Sequence, residues 1–181
     1  MNKFPLILVV LALAAASAWG VPISRDPYLG AIALDVRDGK VLFEDGADRP
    51  GYPASMLKMM DLYVLFDRIQ EGRLRLEETV QVTSEASKIG GSQVYLDPRE
   101  QFTVEELIYA LTIQSANDAA MALALHVAGS REGFVELMNA KARALGLSAV
   151  TQFQSPHGLP PGKGQRQDMT TARDYANLCL A

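Results

Sequence analysis

The hydrophobic pattern of this chain changes period near residue 53, and that change restricts the folds open to it. From Ala31 to Glu44 the sequence alternates around Arg37-Asp38-Gly39-Lys40, with Ile32, Leu34 and Val36 before that centre and Val41 and Phe43 after it. A period of two marks strands, and Asp38-Gly39 supplies the turn, so the segment predicts a β-hairpin. Pro50, Gly51 and Pro53 break the alternation. From Ser55 to about Gln70 the apolar spacing is helical, with Pro53 just ahead of the start and Gly72 just past the end, as helix boundaries favour.

Most of the remainder reads as helix. A strand candidate at Val80–Val82 precedes a polar loop through Gly90-Gly91-Ser92 to Pro98. Thr103 with Glu106 has the form of a capping box, and Leu107, Ile108 and Leu111 carry that helix to near Gln114. Asn117 or Asp118 is placed to cap the next helix, Ala119 to Val127. Phe134, Leu137, Met138, Lys141 and Leu145 mark another that stops at Gly146. The Pro and Gly residues of 154–168 predict a long loop, after which Thr170 or Thr171 opens a last helix.

A length of 181 residues gives room for one sizeable core, so one site is expected. The content of 49% hydrophobic and 21% charged residues is that of a packed globular chain. With a net charge of -4 and no Lys/Arg run, nucleic acid is not an expected partner. Lys3, the apolar run Leu6 to Ala15 and the triplet Ala16-Ser17-Ala18 read as a secretory signal peptide over residues 1–18, with cleavage before Trp19. The run is too short for a membrane anchor. An exported chain is therefore expected, in the periplasm or cell envelope. The single Cys179 allows no intramolecular disulfide and is expected to be buried as a small hydrophobe.

Two short motifs carry chemistry. Ser55-Met56-Leu57-Lys58 is an S-x-x-K, which on a helix places hydroxyl and amine on one face. Serine needs an adjacent base to act as a nucleophile, and a lysine among Met56, Leu57, Met59 and Met60 is desolvated, which disfavours its charged form. The start of the helix adds partial positive charge near Ser55. Ser115-Ala116-Asn117 falls at a junction between two predicted helices. There a hydroxyl can pass protons, and the Asn117 amide can orient Lys58 while bonding a substrate amide.

S-x-x-K followed about 60 residues later by S-x-N belongs to the motif set of penicillin-interacting serine enzymes. The stretch from about Asp35 to Ala176 resembles the low-molecular-weight D-alanyl-D-alanine carboxypeptidases, penicillin-binding serine peptidases of family S11. The matching pieces are Asp38-Gly39-Lys40-Val41-Leu42-Phe43-Glu44, Pro53-Ala54-Ser55-Met56-Leu57-Lys58-Met59-Met60, Gly90-Gly91-Ser92, Ser115-Ala116-Asn117-Asp118-Ala119-Ala120, His157-Gly158-Leu159 and Thr170-Thr171-Ala172-Arg173-Asp174. The resemblance implies an α/β (α+β) architecture of the β-lactamase/transpeptidase type, a helical lobe plus an antiparallel sheet. It implies acylation of Ser55, Lys58 as base, Ser115 as proton relay and Asn117 as a substrate-binding residue. The implied substrate is the D-Ala-D-Ala end of the peptidoglycan pentapeptide, with β-lactams as inhibitors and no cofactor.

Two departures stand out. Ala116 replaces a glycine common in the family, a small change that preserves the site. The family's Lys-Thr-Gly strand, which binds the substrate carboxylate, has no counterpart before Ala181, and Gly162-Lys163-Gly164 lies in a Pro/Gly loop. Residues 19–181 are accordingly expected to be a partial catalytic domain whose C-terminal sheet strands are missing, with an exposed edge near Leu34 and Val36. A serine β-lactamase shares the first motifs, and the missing third motif favours a non-catalytic binding remnant; both stand as alternatives.

Among other residues, His157 is expected to have a structural role in its turn, and His126 to pack within its helix. Glu136 is expected on a solvated face rather than as a deacylating base, and Tyr95 and Ser92 in loop packing that borders the cleft. Two histidines and one cysteine leave no structural-zinc ligand set.

Overall fold

The computed structural model describes residues 28–181; the expected signal peptide, 1–18, lies outside them. The change of period is a boundary between two parts. Before it, β1 (Ala31–Leu34) and β2 (Val41–Asp45) form an antiparallel pair with Ala31 opposite Asp45 and Ala33 opposite Phe43. The turn is closed by Gly39 N–H donating to the Asp35 carbonyl and Asp35 N–H donating to the Lys40 carbonyl, both at 2.8 Å. After the boundary a 3₁₀ turn (Ala54–Leu57) runs into α1 (Lys58–Gln70). Then follow β3 (Thr79–Gln81), the short α2 (Ser84–Ser87), β4 (Gln101–Thr103), α3 (Val104–Ile113), α4 (Asn117–Ala128), α5 (Arg131–Ala144) and α6 (Ala172–Leu180). The result is the expected helical lobe with an antiparallel hairpin.

α4 occupies the centre of the lobe. Its first two turns, Asn117 to Ala124, are buried without interruption, and the alternation of alanine with Met121 and Leu123 leaves room for α1, α3 and α5 to approach. A helix buried on all sides has no polar stripe, unlike its amphipathic neighbours. Leu57, Met60 and Leu65 from α1 and its leading turn, Leu107 and Leu111 from α3, and Phe134 and Met138 from α5 close around it. Each such side chain contributes about 1.5–3 kcal/mol by leaving water.

The capping box forms at α3: Glu106 N–H donates to Thr103 Oγ1 at 3.2 Å, and Thr103 N–H to Glu106 Oε2 at 2.8 Å. Thr171 caps α6 through Asp174 N–H. At α4 the expectation fails, because the capping position is Ala116 and its side chain makes no cap bond. Asn117 and Asp118 are already helical and buried, and their side chains reach across to other segments. β4 carries only Phe102 as an apolar residue and was not signalled by periodicity; it is defined by its pairing with β3. Cys179 is exposed near the end of α6, not buried. Among the described residues no helix is long and apolar enough to cross a membrane.

Candidate active site

Ser55 stands exposed in the 3₁₀ turn, one residue after Ala54, whose φ of +47° is a conformation that L side chains rarely adopt. What holds Ala54 there is Gly158. Its own φ is +72°, and a Cβ added to it would lie 2.2 Å from the Ala54 carbonyl oxygen, so only glycine lets the 157–158 turn come this close. On the other side Tyr175 of α6 donates its hydroxyl proton to the Met56 carbonyl at 2.9 Å. Burial pushes that phenol up to about 12, so it remains a donor.

Lys58, 4% exposed, is the first residue of α1 and collects the site. Its Nζ lies 2.8 Å from Asn117 Oδ1, 3.2 Å from Ser55 Oγ, 3.3 Å from Ser115 Oγ and 3.3 Å from the His157 carbonyl oxygen. An ammonium has three N–H groups for these four oxygens. A neutral amine has two, enough for Asn117 and His157, and a lone pair able to take a hydroxyl proton. Burial pushes the Lys58 ammonium below its ordinary value, and only an ionised Asp61, one turn along the helix, would oppose that.

Ser115 sits at the α3–α4 junction with φ +56°, a non-glycine residue in a region that costs on the order of 1–3 kcal/mol. It is fixed by its neighbours: Ala116 is fully buried, and Asn117 N–H donates to the Ser92 carbonyl at 2.8 Å. The Asn117 amide is set by the Gly90–Ser92 loop. Nδ2 donates to the Gly90 carbonyl at 2.8 Å, which leaves Oδ1 for Lys58. A Cβ on Gly91 would fall 2.6 Å from Nδ2, so the loop closes on the amide only with glycine there.

The four residues singled out from sequence, Ser55, Lys58, Ser115 and Asn117, are thus brought together. Others are not. His126 makes a 2.9 Å contact with Glu78 rather than packing alone, and Glu136 is exposed on α5. Ser92 Oγ donates to the Gln114 carbonyl at 2.7 Å, and Tyr95 is exposed. His157 contributes a backbone carbonyl to Lys58 while its ring Nδ1 accepts from Leu159 N–H. Burial, with Lys58 and Arg131 nearby, pushes that ring down to about 4, so it is neutral. Among the described residues no group of three or more His, Cys, Asp or Glu could hold a metal ion.

Residues 29–181 match the family Peptidase S11, D-alanyl-D-alanine carboxypeptidase. The chain belongs to the D-alanyl-D-alanine carboxypeptidase family. Among members of this family, it is 41% identical over 154 residues to the D-alanyl-D-alanine carboxypeptidase DacC of Escherichia coli, covering 81% of this chain and 37% of that one. The structure of DacD from Francisella tularensis superposes with a TM-score of 0.79 and 30% identity, over 93% of this chain and 40% of that one. Penicillin-Binding Protein D2 of Listeria monocytogenes, in its ampicillin-bound form, matches with a TM-score of 0.74 and 26% identity, over 84% of this chain and 60% of that one. The fold is therefore that of the penicillin-binding carboxypeptidases, and the chain spans less than two thirds of each of these relatives.

Proposed function

We propose that this chain carries a serine-type D-alanyl-D-alanine carboxypeptidase site acting on peptidoglycan stem peptides, with Ser55 as nucleophile. One observation supports it above the rest: a buried amine, Lys58, within hydrogen-bond reach of both serine hydroxyls and of Asn117. In the proposed sequence, Ser55 Oγ attacks the carbonyl of the penultimate D-alanine and its proton passes to Lys58 Nζ. The C–N bond breaks, and Ser115 relays the proton to the departing amine of the terminal D-alanine. Water then enters, gives its proton back along the same route, and releases the peptide acid and Ser55 Oγ–H. Asn117, anchored by Gly90, orients Lys58 and offers its amide to the substrate backbone.

A β-lactam ring is an amide that the same attack would open to a Ser55 ester, and the structure of Penicillin-Binding Protein D2 of Listeria monocytogenes is of an ampicillin-bound form. The exposed Glu136 gives no support to a β-lactamase-type deacylation. The reading also places the protein in the cell envelope, outside the cytoplasm, with residues 1–18 removed on export. The experiment is labelling by a fluorescent penicillin with D-alanine release measured in parallel. Wild type should label, and Ser55→Ala should not, with turnover falling by about 10⁶, as for loss of the serine in other serine hydrolases. Labelling that persists in Ser55→Ala would overturn the assignment.

A further inference from the structure

Asp61 lies one turn after Lys58 on α1 and is 1% exposed. Neither of its carboxyl oxygens has a hydrogen-bond partner, and among the described residues no other buried side-chain polar atom is left so. Three other buried aspartates show what a carboxyl group ordinarily receives in this fold. Asp118 accepts from Val94 and Leu96 N–H. Asp168 accepts from the N–H groups of Gln154 and Ser155 and from the Ser155 hydroxyl. Asp174 accepts from Ser148 N–H and from the hydroxyls of Ser148 and Thr151. A carboxylate stripped of water and given no donor is far more costly than the neutral acid.

The charges acting on Asp61 are Lys58 on its own helix, which favours ionisation, and Asp168 from the loop ahead of α6, which opposes it. Asp118, Lys141 and Asp174, on elements packed against α1, are engaged with groups other than Asp61. Asp118 on α4 holds the 94–96 loop, Lys141 on α5 pairs with Asp67 at 2.8 Å, and Asp174 on α6 holds Ser148 and Thr151. The His157 ring is neutral. Burial is the largest influence, and it lifts the Asp61 carboxyl well above the usual carboxylate range.

We propose that Asp61 is a neutral carboxylic acid in the resting protein and a positioning residue for Lys58: uncharged, it lets the buried amine give up its proton, and once ionised it locks Lys58 as the ammonium. The reason is the charge count. With Asp61 neutral, Lys58 can lose its proton without stranding a buried charge on α1; with Asp61 ionised, the proton on Lys58 is the positive charge that offsets it. α1 therefore carries an alkaline restraint on its own base.

The effect on rate rests on the Ser55–Lys58 reading above; the protonation state of Asp61 does not, and the experiment separates the two. The carboxyl carbon-13 shift of Asp61 in the wild-type protein is followed from about pH 5 to about pH 9. A protonated carboxyl near neutrality is expected, and one that ionises in the ordinary aspartate range overturns the proposal. Thermal unfolding gives the matching sign. A raised carboxyl stabilises fully below the ordinary aspartate value, and that contribution is lost as pH rises through the folded value. Asp61→Asn, with Asp61→Leu as a second neutral variant, should gain in melting temperature over wild type as pH rises. A constant difference overturns the proposal.

In penicillin labelling, the ratio of Asp61→Asn to wild-type rate should rise about tenfold between neutral and alkaline pH, the equivalent of one unit in the Lys58 titration. A flat ratio in a wild type that labels overturns the restraint on Lys58. A wild type that never labels, with the carboxyl found protonated, sinks the enzymatic reading and leaves the neutral Asp61 standing.

Discussion

The helical lobe and the β1–β2 hairpin are held by different forces. In the lobe Leu57, Met60, Leu65, Leu123 and Phe134 are wholly out of water, and α4 is surrounded. In the hairpin Val36 is 81% exposed and Leu42 63%, and among the described residues β1 and β2 have only one another as strand partners. The hairpin is moored by polar contacts instead. Arg173 of α6 donates to Glu44 at 2.7 Å and to Asp48 at 2.7 and 3.0 Å, its N–H donates to the Ala47 carbonyl, and Gly51 bridges to Thr170. Every residue of the candidate site belongs to the lobe or to turns clamped against it. Groups that must meet within a few tenths of an ångström are carried by the part whose geometry the core dictates.

The largest expected effect sharpens this contrast. Phe134→Ala removes a wholly buried ring from between α5 and α4 and should cost about 3–5 kcal/mol in urea unfolding. Penicillin labelling should then fall through loss of folded protein alone, recovering per folded molecule. A cost under 1 kcal/mol would mean the lobe is no better packed than the hairpin.

Gly158→Ala tests the clamp rather than the core. Its Cβ would meet the Ala54 carbonyl at 2.2 Å in a left-handed position, so the 157–158 turn and the Ser55 turn must part. The expected loss is about 1–3 kcal/mol of stability, with a fall in labelling beyond what unfolding explains. Labelling at the wild-type rate per folded molecule would show that the turn does not position Ser55.

How far these contacts were legible in sequence depends on their range. Asp38-Gly39, the Thr103–Glu106 box and the Ser55–Lys58 spacing are local, and each formed where the residues pointed. The His157 carbonyl is a backbone atom from a segment 99 positions away from Lys58, and no side-chain motif announces it. Ala54 and Ser115 hold positive φ angles because Gly158, Ala110 and Ser92 press or bond from elsewhere, which propensity cannot carry. Asn117 had the look of a cap, but a buried lysine and the Gly90 carbonyl compete for its amide and win. Cys179 misled for the same reason: its exposure is decided by where α6 packs, not by its chemistry.

His157→Asn gives a smaller, pH-dependent effect. The ring is lowered from 6.5 to about 4, so its contribution is present above about 6.5 and is lost as pH falls towards 4. Asparagine keeps an acceptor for Leu159 N–H and does not titrate. Urea midpoints should therefore fall less steeply for the variant than for wild type across that window. Parallel curves would mean the ring is not held neutral.

The smallest effect belongs to the hairpin, and it bears on the comparison from the other side. Leu42 projects into solvent from β2, so Leu42→Ser should change stability by no more than about 0.5 kcal/mol, since little buried area is lost. Exposed apolar residues on a two-stranded sheet do, however, invite pairing with a second chain. If copies of this chain associate through that surface, the sedimentation coefficient of wild type should rise with concentration, and Leu42→Ser or Val36→Ser should suppress the rise without moving the urea midpoint. An unfolding free energy that drops by more than about 1 kcal/mol would mean that Leu42 is buried in solution. The hairpin would then be held by apolar burial as the lobe is, and the contrast between the two regions would fail.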